Sequence, residues 1–233
     1  MADNYYTHLF FDLDHTLWDF DKNSEITLCE LFGAYRLSDE KINLTDFLAQ
    51  YAVINKQYWH NYESGKITKE ALRIGRFTAL FALYGIDDEA FITEFGERYL
   101  DISPRQPHLY KNTYEALEYL KQKGYSMHII SNGLQEAQAT KLEASKIAHF
   151  FDTMTLPEEA GATKPSKQIY DFALEKAGAK AEKSIYLGDD PFADIEGSIK
   201  AGWHQVFYNR KGLKHDLKPK HEITDWSEIY GIL

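Results

Sequence analysis

Apolar residues recur along the chain in two distinct rhythms. Residues 8–13 (HLFFDL) form a short, nearly unbroken apolar run, which predicts a strand covered on both faces, as in a parallel sheet. Similar short runs return at 125–131 (YSMHIIS), 152–156 (DTMTL), 183–188 (KSIYLG) and 204–208 (HQVFY). Between them lie stretches with helical spacing, among them NTYEALEYLKQKG and SKQIYDFALEKAG, each closing on a lysine and then a glycine. The cation suits the negative end of a helix and the glycine suits a left-handed cap. This alternation predicts an α/β fold built on a doubly wound parallel sheet.

Residues 19–105 interrupt the alternation with helical periodicity and no convincing strand. Thr68 followed by Glu70 and Ala71 predicts one helix start and Asp87-Asp88 another, with acids where the positive helix end favours them. The chain returns through DISPRQPH, whose two prolines suit a linker. The expected division is therefore a core of residues 1–18 and 106–233 with a helical insertion at 19–105. No internal repeat or low-complexity tract is evident.

The composition, 44% hydrophobic and 27% charged over 233 residues, is that of a chain able to bury its own core. Acidic residues outnumber basic ones 36 to 26, and neither the insertion nor the remainder is basic, so a nucleic-acid polymer or an anionic membrane surface is an unfavourable partner. No apolar run reaches the roughly 20 residues of a membrane span, and MADNYYTH lacks a secretory pattern. With one cysteine, Cys29, no intrachain disulfide can form, and a cytoplasmic location is expected. The nine histidines show no tight metal-ligand spacing, and a Walker-type phosphate loop is absent.

Ligands of open parallel sheets bind beyond the carboxyl ends of the strands, which directs attention to the residues that follow each apolar run. After the first run come Asp12, Asp14 and Thr16; after the second, Ser131, Asn132 and Gly133; after the fourth, Asp189 and Asp190, with Asp194 close behind. Lys164 precedes Pro165 and the helix start at Ser166. Each group has a plain structural alternative: a strand-end turn and cap for the first, a turn for the second, a solvated lysine, and a helix cap near Pro191. Taken together, four segments deliver complementary groups to the same edge of the expected sheet. Three or more carboxylates in one cleft repel one another unless something positive is bound, and a hard divalent cation with oxygen ligands, Mg2+ above all, meets that need.

The motifs DLDHT, the serine of ISNG, the lysine of TKPS and GDDPFAD occur in the order found in the haloacid dehalogenase superfamily, which this chain resembles over nearly its whole length. The resemblance implies a Rossmann-like core with a helical cap and magnesium-dependent phosphate ester hydrolysis. It assigns Asp12 as the nucleophile that becomes an aspartyl-phosphate and Asp14 as the general acid and base. Ser131, with backbone N–H groups around Asn132 and Gly133, would hold the phosphoryl oxygens, and Lys164 would neutralise charge on that group and on Asp12. Asp12, Asp189 and the main-chain carbonyl of Asp14 would hold the metal, with Asp194 orienting a metal-bound water or Lys164. Thr16 is grouped with the phosphate loop. Asp190 departs from the pattern, where a small hydroxyl or amide residue is commoner; an outer-sphere ligand and a helix cap both remain open for it. A side-chain carboxyl with its ordinary pKa near 3.9 is ionised at neutral pH, so Asp12 is expected to need no activating base.

The superfamily also contains dehalogenases. Expulsion of halide needs no proton, whereas an alkoxide leaving group does, so Asp14 favours phosphate monoesters over haloacids. The run from IISNG through FALEKAG, with FFDLDHTLWDF at the front, looks like the pyrimidine-type 5'-nucleotidase subfamily, which implies a nucleoside monophosphate as substrate; another small phosphorylated metabolite is the alternative. A non-catalytic phospho-switch is disfavoured because both spaced acids sit on the first strand. Arg73 and Arg76, three apart on one helix, could meet a base or ribose or could lie on an exposed face. Trp18, Phe20, Trp59, His60 and Tyr62 are open to both stacking and packing roles, and His15 is read as a variable position within its motif. The sequence does not report the oligomeric state.

Overall fold

A computed structural model describes residues 5–233; of the leader-free reading of MADNYYTH, the first four residues lie outside those described. The strands are β1 (His8–Phe11), β2 (Ser126–Ile130), β3 (Thr153–Thr155), β4 (Ser184–Gly188), β5 (His204–Tyr208) and β6 (His221–Ile223). The helices, in chain order, are α1 (Phe20–Ala34), α2 (Leu44–Glu63), α3 (Lys69–Ala82), α4 (Glu89–Ile102), α5 (Thr113–Gln122), α6 (Gln135–Ala144), α7 (Pro157–Ala160), α8 (Lys167–Ala177) and α9 (Gly197–Lys200). All six strands are parallel, in the order β3-β2-β1-β4-β5-β6. This is the doubly wound topology expected, with one addition. β6 is three residues long, too short to show a period, and pairs with β5 through Val206 opposite His221.

The pleat explains why β1 has no wet face. Leu9 and Phe11 point into one apolar layer with Met127, Ile129, Ile185, Leu187 and Val206, covered by Leu117 and Leu120 of α5 and by Trp226. Phe10 points into the opposite layer with Ile130 and Tyr186, covered by Ile169, Tyr170 and Ala173 of α8. Each of these residues is essentially inaccessible, and replacing one such phenylalanine by alanine costs about 3–5 kcal/mol in comparable cores. The two expected glycine caps follow α5 and α8, Gly124 at φ +86° and Gly178 at φ +62°.

The contacts divide the chain into an α/β unit, formed by residues through Phe20 and from Pro107 to Leu233, and a helical unit, Asp21–Gln106. The helical unit has its own core of aromatic rings, with Phe47, Phe77, Phe81, Phe95 and Tyr99 buried together. Its helix starts are those predicted: the Thr68 side chain accepts from the N–H of Ala71, and Asp88 accepts from the N–H groups of Ala90 and Phe91. Two expectations are corrected. The stretch read as a linker begins in helix, since α4 runs to Ile102 and Pro104 sits in the first turn of a 3-10 segment, where no N–H is required. The exposed-face alternative also fails for Arg76, but not for Arg73, which is partly exposed. Arg76 is buried, donates to Asn55 Oδ1 at 2.7 Å and lies over the rings of Phe77 and Tyr99, while Arg73 pairs with Glu97 at 3.1 Å.

On the α8 face of the sheet, His128 sits opposite Phe10 with its Nδ1 2.9 Å from Thr153 Oγ1 and its Nε2 3.0 Å from His8 Nδ1. Burial, helped by the neighbouring His8, lowers its pKa from 6.5 to about 4. Because the folded state resists protonation, the unfolded chain binds the extra proton between these values, so this contribution is complete above pH 6.5 and is lost as pH falls towards 4. Urea unfolding is expected to show a pH-dependent loss of roughly 3 kcal/mol from this residue across that window, absent in His128→Gln.

Candidate active site

β1, β2 and β4 lie side by side, with Phe11 flanked by Ile129 and Leu187, so the residues that leave their carboxyl ends meet at the sheet's switch point. Asp12 continues the ladder by one bond, its N–H donating to the Leu187 carbonyl at 2.9 Å, and its side chain is buried. The loop then folds back: His15 takes a left-handed conformation and its N–H donates to the Trp18 carbonyl. That turn carries Asp14 away from Asp12 and towards α6. Thr16, fully buried, is fixed from the other side by the Trp226 indole N–H, which donates to its carbonyl at 3.0 Å.

Lys164 is the buried cation beside Asp12. Its Nζ donates to Asp12 Oδ1 at 2.6 Å, to Asp194 Oδ1 at 2.7 Å and to the Tyr186 hydroxyl at 3.1 Å. Asn132 holds its main chain on both sides: Asn132 Nδ2 donates to the Lys164 carbonyl, and the Lys164 N–H donates to Asn132 Oδ1 at 2.7 Å. Asp194 in turn accepts from the Tyr186 hydroxyl and from the N–H of Asp190. Gly188 is required beside it, because a Cβ there would strike the Asp194 carboxylate.

One carboxylate oxygen from each of Asp12, Asp189 and Asp194 lies within 4.8 Å of the others. Burial, partly opposed by Lys164 and reinforced by Asp194, pushes the Asp12 carboxyl up to about 7. With no ion bound, burial thus sets this carboxyl above the ordinary carboxylate value on which the sequence expectation rested. Asp189 is raised for the same reasons, burial first and then Asp194 and Asp12, against a single stabilising bond from the Thr16 hydroxyl at 3.0 Å. Hard oxygen donors that repel one another across a few ångströms fit a divalent cation, whose charge would draw these groups back to the ionised form.

The structure gives each of the other candidate side chains a definite partner. The Thr16 hydroxyl is directed at Asp189 rather than free for phosphate. The Gly133 N–H donates to Ser131 Oγ at 3.0 Å, and Asn132 positions Lys164. Asp190, left open between two roles, caps the widened π-type turn Pro191–Glu196 by accepting from the N–H groups of Phe192 and Ala193. Asp194 holds the Lys164 ammonium, one of the two roles expected for it, and also brings an oxygen to the acidic group. Trp18 is wholly buried in the α/β core.

Three residues escaped the sequence reading. Tyr186 lies two positions before Gly188 on β4 and bonds Lys164. Gln138 and Lys141, three apart on α6, both reach Asp14: Gln138 Nε2 donates to Oδ2 at 2.9 Å, and Lys141 Nζ donates to Oδ1 at 2.7 Å and Oδ2 at 2.9 Å. Gln138 also donates to Ser131 Oγ at 2.5 Å. Burial alone would raise the Asp14 pKa, but these bonds, Lys141 foremost, hold it below the ordinary carboxylate value. Their spacing on one helix face was legible, but their target in another segment was not.

A fold and a site of this kind define a hydrolase of the haloacid dehalogenase type, and the comparisons agree. The family model for haloacid dehalogenase-like hydrolases matches residues 9–207, and the chain belongs to that family. The pyrimidine 5'-nucleotidase PynA of Streptococcus pneumoniae is 28% identical, covering 98% of this chain and 95% of its own. The pyrimidine 5'-nucleotidase YjjG of Escherichia coli is 32% identical, covering 94% and 92%. Among solved structures, the putative HAD-hydrolase YfnB of Bacillus subtilis, described as bound to magnesium, superposes with a TM-score of 0.86 at 29% identity over 99% of both chains.

The crowding of acids has a measurable consequence in the absence of divalent ions. Asp189→Asn is expected to stabilise the chelated protein by about 1 kcal/mol, a rise of roughly 3 °C in Tm, because it removes a half-buried acid crowded against two buried ones. Thermal melting in EDTA checks this, and a fall in Tm would show that the repulsion is already relieved.

Proposed function

We propose that the protein is a magnesium-dependent phosphate monoester hydrolase that acts on nucleoside monophosphates through an aspartyl-phosphate, with Asp12 as nucleophile. The observation that carries this reading is the convergence of Lys164 and the Asp189–Asp194 pair on Asp12, beside a loop that delivers a second acid, Asp14. Nucleophile, fixed cation and ion-binding oxygens are the parts phosphoryl transfer requires.

Asp12 attacks phosphorus and the ester P–O bond breaks, the departing oxygen taking a proton from the Asp14 carboxyl. Water then attacks the phosphorus, Asp14 takes its proton, and the acyl-phosphate P–O bond breaks to release phosphate and restore Asp12. Lys164 offsets the negative charge that Asp12 and the phosphoryl group bring together, and Asp194 and Tyr186 keep its ammonium in place. Ser131 contacts the phosphoryl oxygens. Asp12 and Asp189, with Asp194 at hand, are the residues that would hold Mg2+, which when bound supplies Lewis-acid stabilisation of phosphoryl charge. These motifs read only phosphate and ion, so selectivity for the group beyond must come from residues outside them. The nucleoside monophosphate assignment is supported by the names of the two nucleotidase relatives. No described helix is long and apolar enough to cross a membrane, and the lone cysteine supports a cytoplasmic setting.

Release of inorganic phosphate from a panel of nucleoside and sugar monophosphates, with Mg2+ or with EDTA, tests this reading. Turnover of pyrimidine monophosphates in Mg2+ is expected, with at least about a 10³-fold loss on chelation and in Asp12→Asn. Equal rates with and without chelator would refute the ion's role. Asp14→Asn is expected to lower kcat/KM for uridine monophosphate by about 10²–10⁴-fold, the usual worth of a proton-transferring side chain, and near-full activity in that variant would remove Asp14 from the reaction.

A further inference from the structure

α6 contributes more than packing to the site. Its residues Gln138 and Lys141 are both buried, yet they spend their polar groups on a carboxylate in a distant segment rather than on neighbours in their own helix. The three bonds they make have a definite chemical polarity. Lys141 Nζ, a donor with no acceptor capacity, reaches both oxygens of Asp14, and the amide nitrogen of Gln138 adds a second bond to Oδ2. A carboxyl whose two oxygens both accept from such donors is arranged as a carboxylate. A carboxylic acid would have to turn an O–H towards one of them. The Lys141 ammonium also lies 4.6 Å from the centroid of the buried Trp18 ring, which holds the cation from a second side.

The same amide ties Asp14 to the phosphate end of the site, because Gln138 Nε2 also bonds Ser131 Oγ. Room for this bridge comes from Gly133, where a Cβ would collide with the Gln138 amide. Asp14 and Ser131 are therefore set at a fixed separation by one side chain.

We propose that Lys141 and Gln138 are positioning residues for the second half-reaction: they hold Asp14 as an aimed carboxylate that accepts the proton of the water attacking the aspartyl-phosphate. The inference rests on the phosphatase reading above. In that step water's oxygen forms the new bond to phosphorus, its proton passes to Asp14 Oδ1, which carries only one of the three bonds, and the bond from phosphorus to Asp12 breaks. The first half-reaction needs Asp14 as an acid, and one of the three contacts must open for it. The arrangement in the structure serves the accepting half, where loss of orientation is costly.

Pre-steady-state hydrolysis of p-nitrophenyl phosphate separates the two halves, since its acidic leaving group needs little proton donation. Wild type is expected to turn over steadily. Lys141→Met, which keeps the apolar stem against Trp18, is expected to release nitrophenolate in a burst approaching one equivalent per enzyme and then to run with kcat lowered at least about tenfold. KM should fall along with kcat, and phosphoenzyme should accumulate in acid-quenched samples by intact mass. Gln138→Met is expected to show the same burst to a smaller degree and carries the comparison if Lys141→Met does not fold by circular dichroism. Equal falls in kcat and kcat/KM in the folded variants, without a burst or trapped phosphoenzyme, would overturn the inference and leave the phosphatase reading standing. A wild-type protein that hydrolyses no phosphate ester would overturn the phosphatase reading and the inference together.

Discussion

The ammonium of Lys164, lodged between the carboxylates of Asp12 and Asp194, is the interaction on which the site depends. It is the buried counter-charge for a group of acids that the fold forces together, and no part of it is left to chance. Asn132 pins its main chain on both sides, Tyr186 takes a third bond, and Gly188 leaves room for Asp194 to approach. A buried charge pair gains little stability over apolar packing, but a buried charge without its partner costs several kcal/mol. Retaining one cation among three acids is therefore an arrangement for binding and chemistry, at some expense of the ion-free fold.

The sheet makes this arrangement possible. Both its layers are sealed, so the ends of β1, β2 and β4 are held by close-packed side chains, and the loops that leave them inherit that rigidity. Asp12 remains hydrogen-bonded to β4 as if it were still part of the strand, whereas Asp14, two residues later, has already turned away. Two acids close in sequence thus reach different neighbours, one facing Lys164 and the other Lys141.

What the sequence made legible follows from range. The strands, the two glycine caps and the helix starts at Thr68 and Asp88 are written in a few consecutive residues, and all are found. The acids and Ser131 were nameable because they follow apolar runs whose ends the sheet order fixes, and Lys164 through the TKPS motif. Partnerships across segments were not legible. Nothing local says that Thr16 serves Asp189, that Asn132 grips Lys164, or that Arg76 is buried against Asn55 and two rings. The shift in the Asp12 carboxyl is hidden for the same reason, since it comes first from burial and then from Asp194, in a distant segment of the chain. β6 was missed because three residues carry no rhythm.

The points where the core releases its chain into the helical segment and receives it again are stitched together. Trp18 bridges Leu109 in antiparallel fashion, the Asp19 N–H donates to the His108 carbonyl, and the Tyr110 N–H donates to that of Leu17. The doorway is thus closed by the α/β unit's own hydrogen bonds, whatever lies between. Loop-closure entropy grows only slowly with length, so inserts of very different size could be threaded through such a clasp with little disturbance to the sheet. A lineage can then exchange the inserted module while inheriting the sheet and the loops at its edge intact.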